Sequence, residues 1–257
     1  MRKLFEIYRY RELLKNLVVN ELKLRYRRSA LGFLWSMLNP LLTMIVLTLV
    51  FSTIMRFNTK DYWVLLLAGM LPWIFFSQAI SGGLMSIVGK GALLKKVYIP
   101  KTIIPLSTVL AGLVNFMLSM LAMFALMAAL GRLPNTAMLF LPVSIGILTL
   151  FTCGMAFLFS CLNVYFRDFT HMTEVLISAW FYASPVIYTV EMVPERFRPA
   201  FAWNPMLYVI ECFRAPIFDA RLPSLQTVSI AFAGSLLSAL IGFVVFVRFE
   251  RGFILRV

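Results

Sequence analysis

The sequence predicts an all-α polytopic membrane protein with six transmembrane helices. Of its 257 residues, 61% are hydrophobic and only 14% are charged, whereas soluble domains carry roughly 25% charged residues. No soluble fold of this length could bury so much apolar surface. Crossing a bilayer takes about 20 apolar residues, and six stretches reach that length. They are Leu31–Met55, Tyr62–Val88, Ile103–Leu130, Ala137–Val164, Met172–Val190 and Leu225–Val247.

The basic residues predict the orientation of these spans. A net charge of +13 can indicate a nucleic-acid partner, but in membrane proteins Lys and Arg collect in the cytoplasmic segments. Here they are concentrated before Leu31, between Lys90 and Lys101, and after Val247. We therefore expect both termini in the cytoplasm and no nucleic-acid partner. A removable signal peptide is not expected, because the charged N-terminal stretch contains no apolar core.

Residues 1–30 are predicted to form an amphipathic helix that lies in the membrane interface before the first span. Glu21 and Arg25 intrude on its apolar face, one helical turn apart, so we expect them to neutralise each other. An ordinary solvated helix before a membrane anchor is the alternative. The apolar face comprises Leu13, Leu14, Leu17, Val18, Leu22 and Leu24.

The turn after the second span contains Gly89 and Lys90, which look like part of a nucleotide-binding P-loop. A P-loop needs a glycine, four further residues, then Gly-Lys and a hydroxyl residue. Five residues separate Gly83 from Gly89, and Gly91 follows Lys90, so the spacing excludes that reading. The next stretch, ALLKKVY, predicts a short basic-aromatic helix. It either docks into a groove of another protein or is a plain charged loop.

Residues 191–224, between the fifth and sixth spans, are predicted to form short re-entrant or interfacial helices over the outer end of the bundle. The stretch AFAWNPMLYVIECFRAPIF is largely apolar, unlike a soluble loop. Pro205, Arg214 and Pro216 interrupt it, so it is too short and too broken to cross the membrane.

Few residues in the spans could carry chemistry. Glu174 is the only acid within them, whereas ion-coupled transporters need buried carboxylates or histidines. His171 has no companion that would complete a catalytic site, and the three cysteines lack disulfide or metal spacing. We therefore expect no catalytic residues and no metal, and a pathway that is powered by a partner.

Several motifs, in this order, resemble the membrane subunit of ABC-2-type polysaccharide exporters, the family of O-antigen, capsule and teichoic-acid transporters. They are RYRRSALGFLWSMLNPLL at the first span, LPWIFFSQAI in the second, NVYFRD after the fourth, SPVIYTVEMVP at the end of the fifth, and the later NP. The resemblance covers essentially the whole chain and implies a single transmembrane domain over residues 1–257. Spans one to five then fall within residues 31–190, the sixth within 225–247, and a cytoplasmic tail within 248–257.

The resemblance also implies a bacterial plasma-membrane homodimer, each subunit docked on a cytoplasmic ABC ATPase that binds the ATP and Mg. The chain itself would hold no cofactor. The cargo would be a polyprenyl-pyrophosphate-linked glycan, moving through a channel between the protomers. Residues 1–30 would be the interface helix, roughly Gly91–Tyr98 the coupling helix, and two short helices within Pro194–Pro223 the exit gate. The alternatives are an ABC-2 exporter of a drug or small lipid, and a membrane glycan-processing enzyme or scaffold that works without ATP.

Three sets of site residues follow from this resemblance and from the residue chemistry. The predicted ATPase contacts are Leu93, Leu94, Lys95, Lys96, Val97, Tyr98, Arg167 and Asp168. The predicted pyrophosphate ligands are Arg25, Arg27 and Arg28, although cytoplasmic loops carry arginine in any case. The predicted glycan contacts in the channel are Trp35, Trp73, Phe75, Phe76, Trp180, Phe181 and Tyr182, and the alternative for these aromatics is interface belts or bundle packing.

Overall fold

The computed structural model describes residues 2–26, 32, 34–50 and 61–256, with backbone only for residues 2–5, 26, 36, 37 and 40. Arg27, Arg28 and the end of the first predicted span lie outside the described residues. The described part of the chain is all-helical, as predicted. Its helices are α1 (Arg2–Arg9), α2 (Arg11–Tyr26), α3 (Leu34–Leu49), α4 (Tyr62–Gly89), α5 (Gly91–Lys96), α6 (Ile103–Ala129), α7 (Leu141–Tyr165), α8 (Phe169–Tyr182), α9 (Arg198–Phe201), α10 (Pro205–Ile217), α11 (Leu225–Phe249) and α12 (Phe253–Arg256).

Four helical segments of the described chain are long and apolar enough to cross a membrane. They are α4, α6, α7 with the 3₁₀ turn Thr136–Phe140 before it, and α11 with its continuation to Arg256. They match the second, third, fourth and sixth predicted spans, and the helices begin and end close to the predicted limits. Long apolar stretches therefore predicted these helices well, although α4 contains Pro72 in its interior.

The fifth predicted span, Met172–Val190, is wrong as a continuous helix. α8 ends at Tyr182 after 14 residues, which spans about 21 Å at 1.5 Å per residue, short of the roughly 30 Å of hydrocarbon. Pro185 follows, and proline restricts the residue before it to extended conformations. The chain then leaves the helix and turns.

α4 is the central helix of the bundle and contacts α3, α6, α7 and α10. α7 and α11 pack against each other at very close range. A Cβ atom on Gly154 would overlap the backbone at Ser238, and one on Gly242 would overlap the carbonyl oxygen of Gly154. Small residues let transmembrane helices approach in this way, because the packing energy between them depends on backbone proximity.

The amphipathic helix α2 packs against α6. Leu24, which was predicted on its apolar face, is 56% exposed. Glu21 does not pair with Arg25: its carboxylate lies 2.6 Å from the ammonium of Lys90. Arg25 instead donates to the side-chain oxygen of Gln78 at 3.3 Å. The predicted pairing of Glu21 with Arg25 was wrong, because the fold brings Lys90 to Glu21 and Gln78 to Arg25.

The segment between α8 and α11 contains the predicted short helices, α9 and α10. Asn204 caps α10, because its side-chain oxygen accepts from the backbone N–H of Met206 at 3.0 Å, as expected at a helix start. The same oxygen accepts from the indole N–H of Trp180 at 2.9 Å. Its amide nitrogen donates to the carbonyl of Ala183 and the hydroxyl of Ser184. Asn204 thus joins the start of α10 to the end of α8.

Candidate coupling surface and substrate cavity

In the α5 region, some of the residues predicted to contact an ATPase are exposed and one is buried. Leu93, Val97 and Tyr98 are 41%, 55% and 73% exposed, and the side chains of both lysines are also exposed. Leu94 is only 7% exposed and packs into an apolar cluster of this chain. Leu94 therefore holds α5 to the bundle and does not face a partner, a correction that follows from the helical period.

Both ends of the α5 region are tied to the N-terminal helices. Lys90, just before α5, pairs with Glu21 of α2. The hydroxyl of Tyr98 donates to the carboxylate of Glu6 in α1 at 2.9 Å. The Tyr98 ring remains accessible, because most of its surface is exposed.

Arg167 and Asp168 lie on the exposed turn between α7 and α8. The guanidinium of Arg167 donates to the carbonyl of Arg256 at 3.1 Å. The backbone carbonyl of Asp168 accepts from the first turn of α8. Arg167 therefore fastens another part of its own chain, and a role for either residue in ATPase coupling stays a prediction.

A cavity of about 750 Å³ lies between α3, α4 and α6. It brings together three of the predicted site residues, namely Arg25, Trp35 and Phe75. Arg27 and Arg28 lie outside the described residues, so their place relative to the cavity stays a prediction. The other lining residues are Asn39, Leu71, Ile74, Ser77, Gln78, Ser81, Gly82, Gly112, Asn115, Phe116, Ser119 and Ile177.

The polar side chains of the cavity come from helices that are otherwise apolar. Gln78 and Ser81 face it from α4, and Asn115 and Ser119 from α6. Polar groups at membrane depth are costly and usually functional. Hydroxyl and amide groups can exchange hydrogen bonds with a sugar, whereas Phe75 is only 3% exposed and its ring stacks on Phe116 at 5.3 Å between centroids. Sequence reasoning missed these four residues, although their helical spacing in apolar spans was a usable signal.

Two of the other predicted channel aromatics, Trp73 and Phe76, are buried, and Trp180 and Phe181 are partly buried against the same core. Phe76 is fully buried, and its ring lies 5.3 Å from Phe151 and 5.2 Å from Trp180, between centroids. Trp73 is 5% exposed and contacts Phe76 and Phe181. These distances are typical of stabilising aromatic pairs. The channel prediction is therefore corrected for Phe76, which has no surface to offer a glycan.

Tyr182 lies at the end of α8 and is 69% exposed. Its backbone carbonyl accepts a hydrogen bond from the hydroxyl of Tyr188 at 2.6 Å. Trp35 is 47% exposed, at the edge of the cavity. For these two aromatic side chains, contact with a glycan stays a prediction.

A second, charged cavity of about 520 Å³ lies beside α10. Arg214 is 4% exposed and donates at 2.7 Å to the carbonyls of Val186 and Tyr188. Burial lowers the pKa of this guanidinium to about 10, so it remains charged at neutral pH. Burial also raises the pKa of Glu211, whose carboxylate lies 3.2 Å from the guanidinium of Arg221. The arrangement fastens α10 to the turn that follows α8.

Comparison with known proteins identifies the class. The family model for ABC-2 type transporters matches residues 12–218, and the chain belongs to this family. It is a membrane transport subunit, and not the ATP-hydrolysing one.

Named relatives make the comparison more specific. The chain is 38% identical over 223 residues to the O-antigen export system permease protein RfbA of Myxococcus xanthus, covering 86% of both chains. It is 28% identical over 243 residues to RfbA of Klebsiella pneumoniae, covering 94% of this chain and 93% of the relative. The polysialic acid transport protein KpsM of Escherichia coli is 22% identical over 213 residues, 80% of this chain and 81% of the relative.

Proposed function

We propose that this chain is the channel-forming permease of an ATP-driven exporter, which moves polyprenyl-pyrophosphate-linked, O-antigen-like polysaccharide out of the cytoplasm. Membership of the ABC-2 family and similarity to O-antigen export permeases over most of the chain support the class of cargo. The polar cavity between α3, α4 and α6 is the observation that carries the proposal to particular residues.

The cavity offers the chemistry that such a cargo needs. The guanidinium of Arg25 can pair with phosphate oxygens, and its hydrogen bond to Gln78 is to a neutral amide. Next to it, the amides and hydroxyls of α4 and α6 can bind sugar hydroxyls. The ring of Trp35, which is 47% exposed, can pack against the C–H face of a sugar.

Energy for transport comes, in this proposal, from an ATPase subunit that binds the ATP and Mg and docks on α5. The exposed Leu93, Val97 and Tyr98 offer apolar contacts, and Lys95 and Lys96 offer charges to acidic groups. A six-residue helix suits this role, because only Lys90 separates it from the long helix α4.

The proposal includes a homodimer whose channel is lined by α8. Val175 and Met172 are 69% and 57% exposed on this helix, and Glu174 is also exposed. An exposed carboxylate at this position is unfavourable against lipid but acceptable beside a water-filled channel. α3 exposes a second apolar face, which includes Val46 and Leu49.

The cavity can be tested with Arg25→Gln and Gln78→Leu. We expect export of cell-surface glycan to fall roughly tenfold in Arg25→Gln, because a charge-assisted hydrogen bond contributes about 1.5–3 kcal/mol. A smaller loss is expected in Gln78→Leu. Gln226→Leu, an exposed glutamine on α11 outside the cavity, is the matched control. Export should be measured in cells that lack the native permease, at equal expression. Equal export by all three variants would contradict the cavity assignment.

The orientation can be tested with single cysteines in a cysteine-free background. With both termini in the cytoplasm, a membrane-impermeant thiol reagent should label Leu133→Cys and Glu195→Cys in intact cells. Lys96→Cys and His171→Cys should react only after permeabilisation. All four side chains are exposed, so unequal reactivity reports the side of the membrane. Labelling of Lys96→Cys in intact cells would invert the topology and remove the docking role of α5.

A further inference from the structure

The last described residues of the chain pack beneath α5. This tail segment, Glu250–Arg256, consists of a 3₁₀ turn and the short helix α12. The side chain of Phe253 is fully buried. It lies in a cluster with Leu94 of α5, Ile99 after it, and Phe157 of α7. α12 contacts both α5 and α7.

The tail segment is bound to the end of α7 by independent contacts. The guanidinium of Arg256 lies 4.4 Å from the centre of the Tyr165 ring, and the Tyr165 hydroxyl donates at 3.1 Å to the carbonyl of Phe249, the residue just before the tail segment. Arg167 donates to the carbonyl of Arg256. A Cβ on Gly252 would lie 2.6 Å from the Tyr165 hydroxyl, so the chain passes close under this ring.

A further contact binds the tail segment to the start of α6. The ammonium of Lys101 donates to the carbonyl of Glu250 at 2.7 Å and lies 6.0 Å from the ring centre of Phe253. The tail segment therefore contacts the chain that follows α5 as well as the end of α7.

α5 needs such support because it is too short to be stable alone. A helix of six residues is far below the length at which isolated helices form in water. Its inward residue, Leu94, rests on the cluster that Phe253 completes. The residues that pack against Leu94 therefore set the position of α5 and of its exposed face.

We propose that Phe253 and the tail segment are positioning elements, which hold α5 against α7 so that a displacement of α5 is transmitted to α7 and α11. Phe253 sits between α5 and α7 and also packs on Phe246 of α11, 5.2 Å between ring centres. Without Phe253, α5 loses an apolar contact with α7 and α11, while the contacts of Lys90 with Glu21 and of Tyr98 with Glu6 remain. The transmission of movement from α5 to α7 and α11 rests on the proposed docking of an ATPase on α5. The support of α5 by Phe253 is independent of that docking.

The support of α5 is tested with a nitroxide spin label on Lys95→Cys, in a cysteine-free background of the purified full chain. We expect Phe253→Ala to narrow the spectrum, because the label gains mobility, and Phe253→Leu to restore the original line shape. Leu255→Ala, at a side chain that is 90% exposed, is the control and should change nothing. Arg167→Ala and Lys101→Met remove single anchors while keeping the cluster, so they carry the test if Phe253→Ala does not fold. Unchanged mobility in all folded variants would overturn the proposal.

Transmission is tested on the chain co-expressed with its ATPase subunit. We expect Phe253→Ala to co-purify with the ATPase, because the exposed face of α5 remains, while export per ATP hydrolysed falls roughly tenfold, near the upper range for coupling changes. Phe253→Leu should recover most of the export. Normal export per ATP in Phe253→Ala would overturn the positioning role. A Lys95→Glu/Lys96→Glu variant that still assembles and exports would instead refute docking on α5, without affecting the spin-label result.

Discussion

Replacing Gly154 with valine is expected to prevent α7 and α11 from packing and to remove most of the folded protein. The new side chain would collide with the backbone of α11 at Ser238 and Ala239, and backbone atoms cannot rotate away as a flexible side chain can. Overpacking typically costs about 1–3 kcal/mol, and we expect more than about 3 kcal/mol here because two helices must separate. Gly242→Val should have a similar effect, since it would collide with the carbonyl of Gly154.

Gly146→Val is the matched control for Gly154→Val, on the same helix. A Cβ on Gly146 meets nothing within 4 Å, so this variant should fold like the original chain. The measurement is the yield of monodisperse protein in detergent and its thermal unfolding midpoint. Equal yields and midpoints for the two variants would show that the close approach of α7 and α11 is not needed.

Arg214→Met is expected to release the turn that follows α8. Methionine fills similar space but removes the donors to the carbonyls of Val186 and Tyr188. An unsatisfied buried polar group costs about 1–3 kcal/mol, so two carbonyls correspond to roughly 2–6 kcal/mol. We expect a lower unfolding midpoint and faster backbone hydrogen exchange in residues 183–190. Gly69 belongs to the same contact, because a Cβ there would overlap the carbonyl oxygen of Val186.

Two controls separate this contact from charge alone. Arg221→Met removes an arginine whose side chain is 61% exposed and pairs with Glu211 and Asp219, and a surface ion pair contributes at most about 1 kcal/mol. Arg214→Lys keeps the charge but cannot present two parallel donors, so it should resemble Arg214→Met. If backbone hydrogen exchange in residues 183–190 were no faster in Arg214→Met than in Arg221→Met, the Arg214 guanidinium would not be what holds this turn.

The four long helical segments and the short helix after the second span were predictable from sequence. Long apolar runs specify α4, α6, α7 and α11, because a single segment in lipid can satisfy its backbone hydrogen bonds only as a helix. The stretch ALLKKVY predicted a short helix, which the structure places at Gly91–Lys96. The transporter family was also predictable, because its motifs are spread along the chain in order.

The candidate site was only partly predictable. Arg25, Trp35 and Phe75 were chosen by residue type and meet in one cavity. Phe76 was chosen by the same reasoning but is fully buried. Adjacent residues on a helix point about 100° apart, so residue type alone cannot tell a cavity wall from an interior contact.

Composition and apolar length alone determined that this chain is a helical membrane protein, and where its long helices lie, because these properties act through the local segment and its solvent. Tertiary structure alone decided that Glu21 pairs with Lys90, that Arg214 fastens the turn after α8, and that Phe253 shares an apolar cluster with Leu94 of α5. Each of these contacts joins residues far apart in the chain, at distances set by how the helices pack. Hydrogen bonds and van der Waals contacts act over a few ångströms, so the spacing of residues along the sequence does not reveal which distant residues form them.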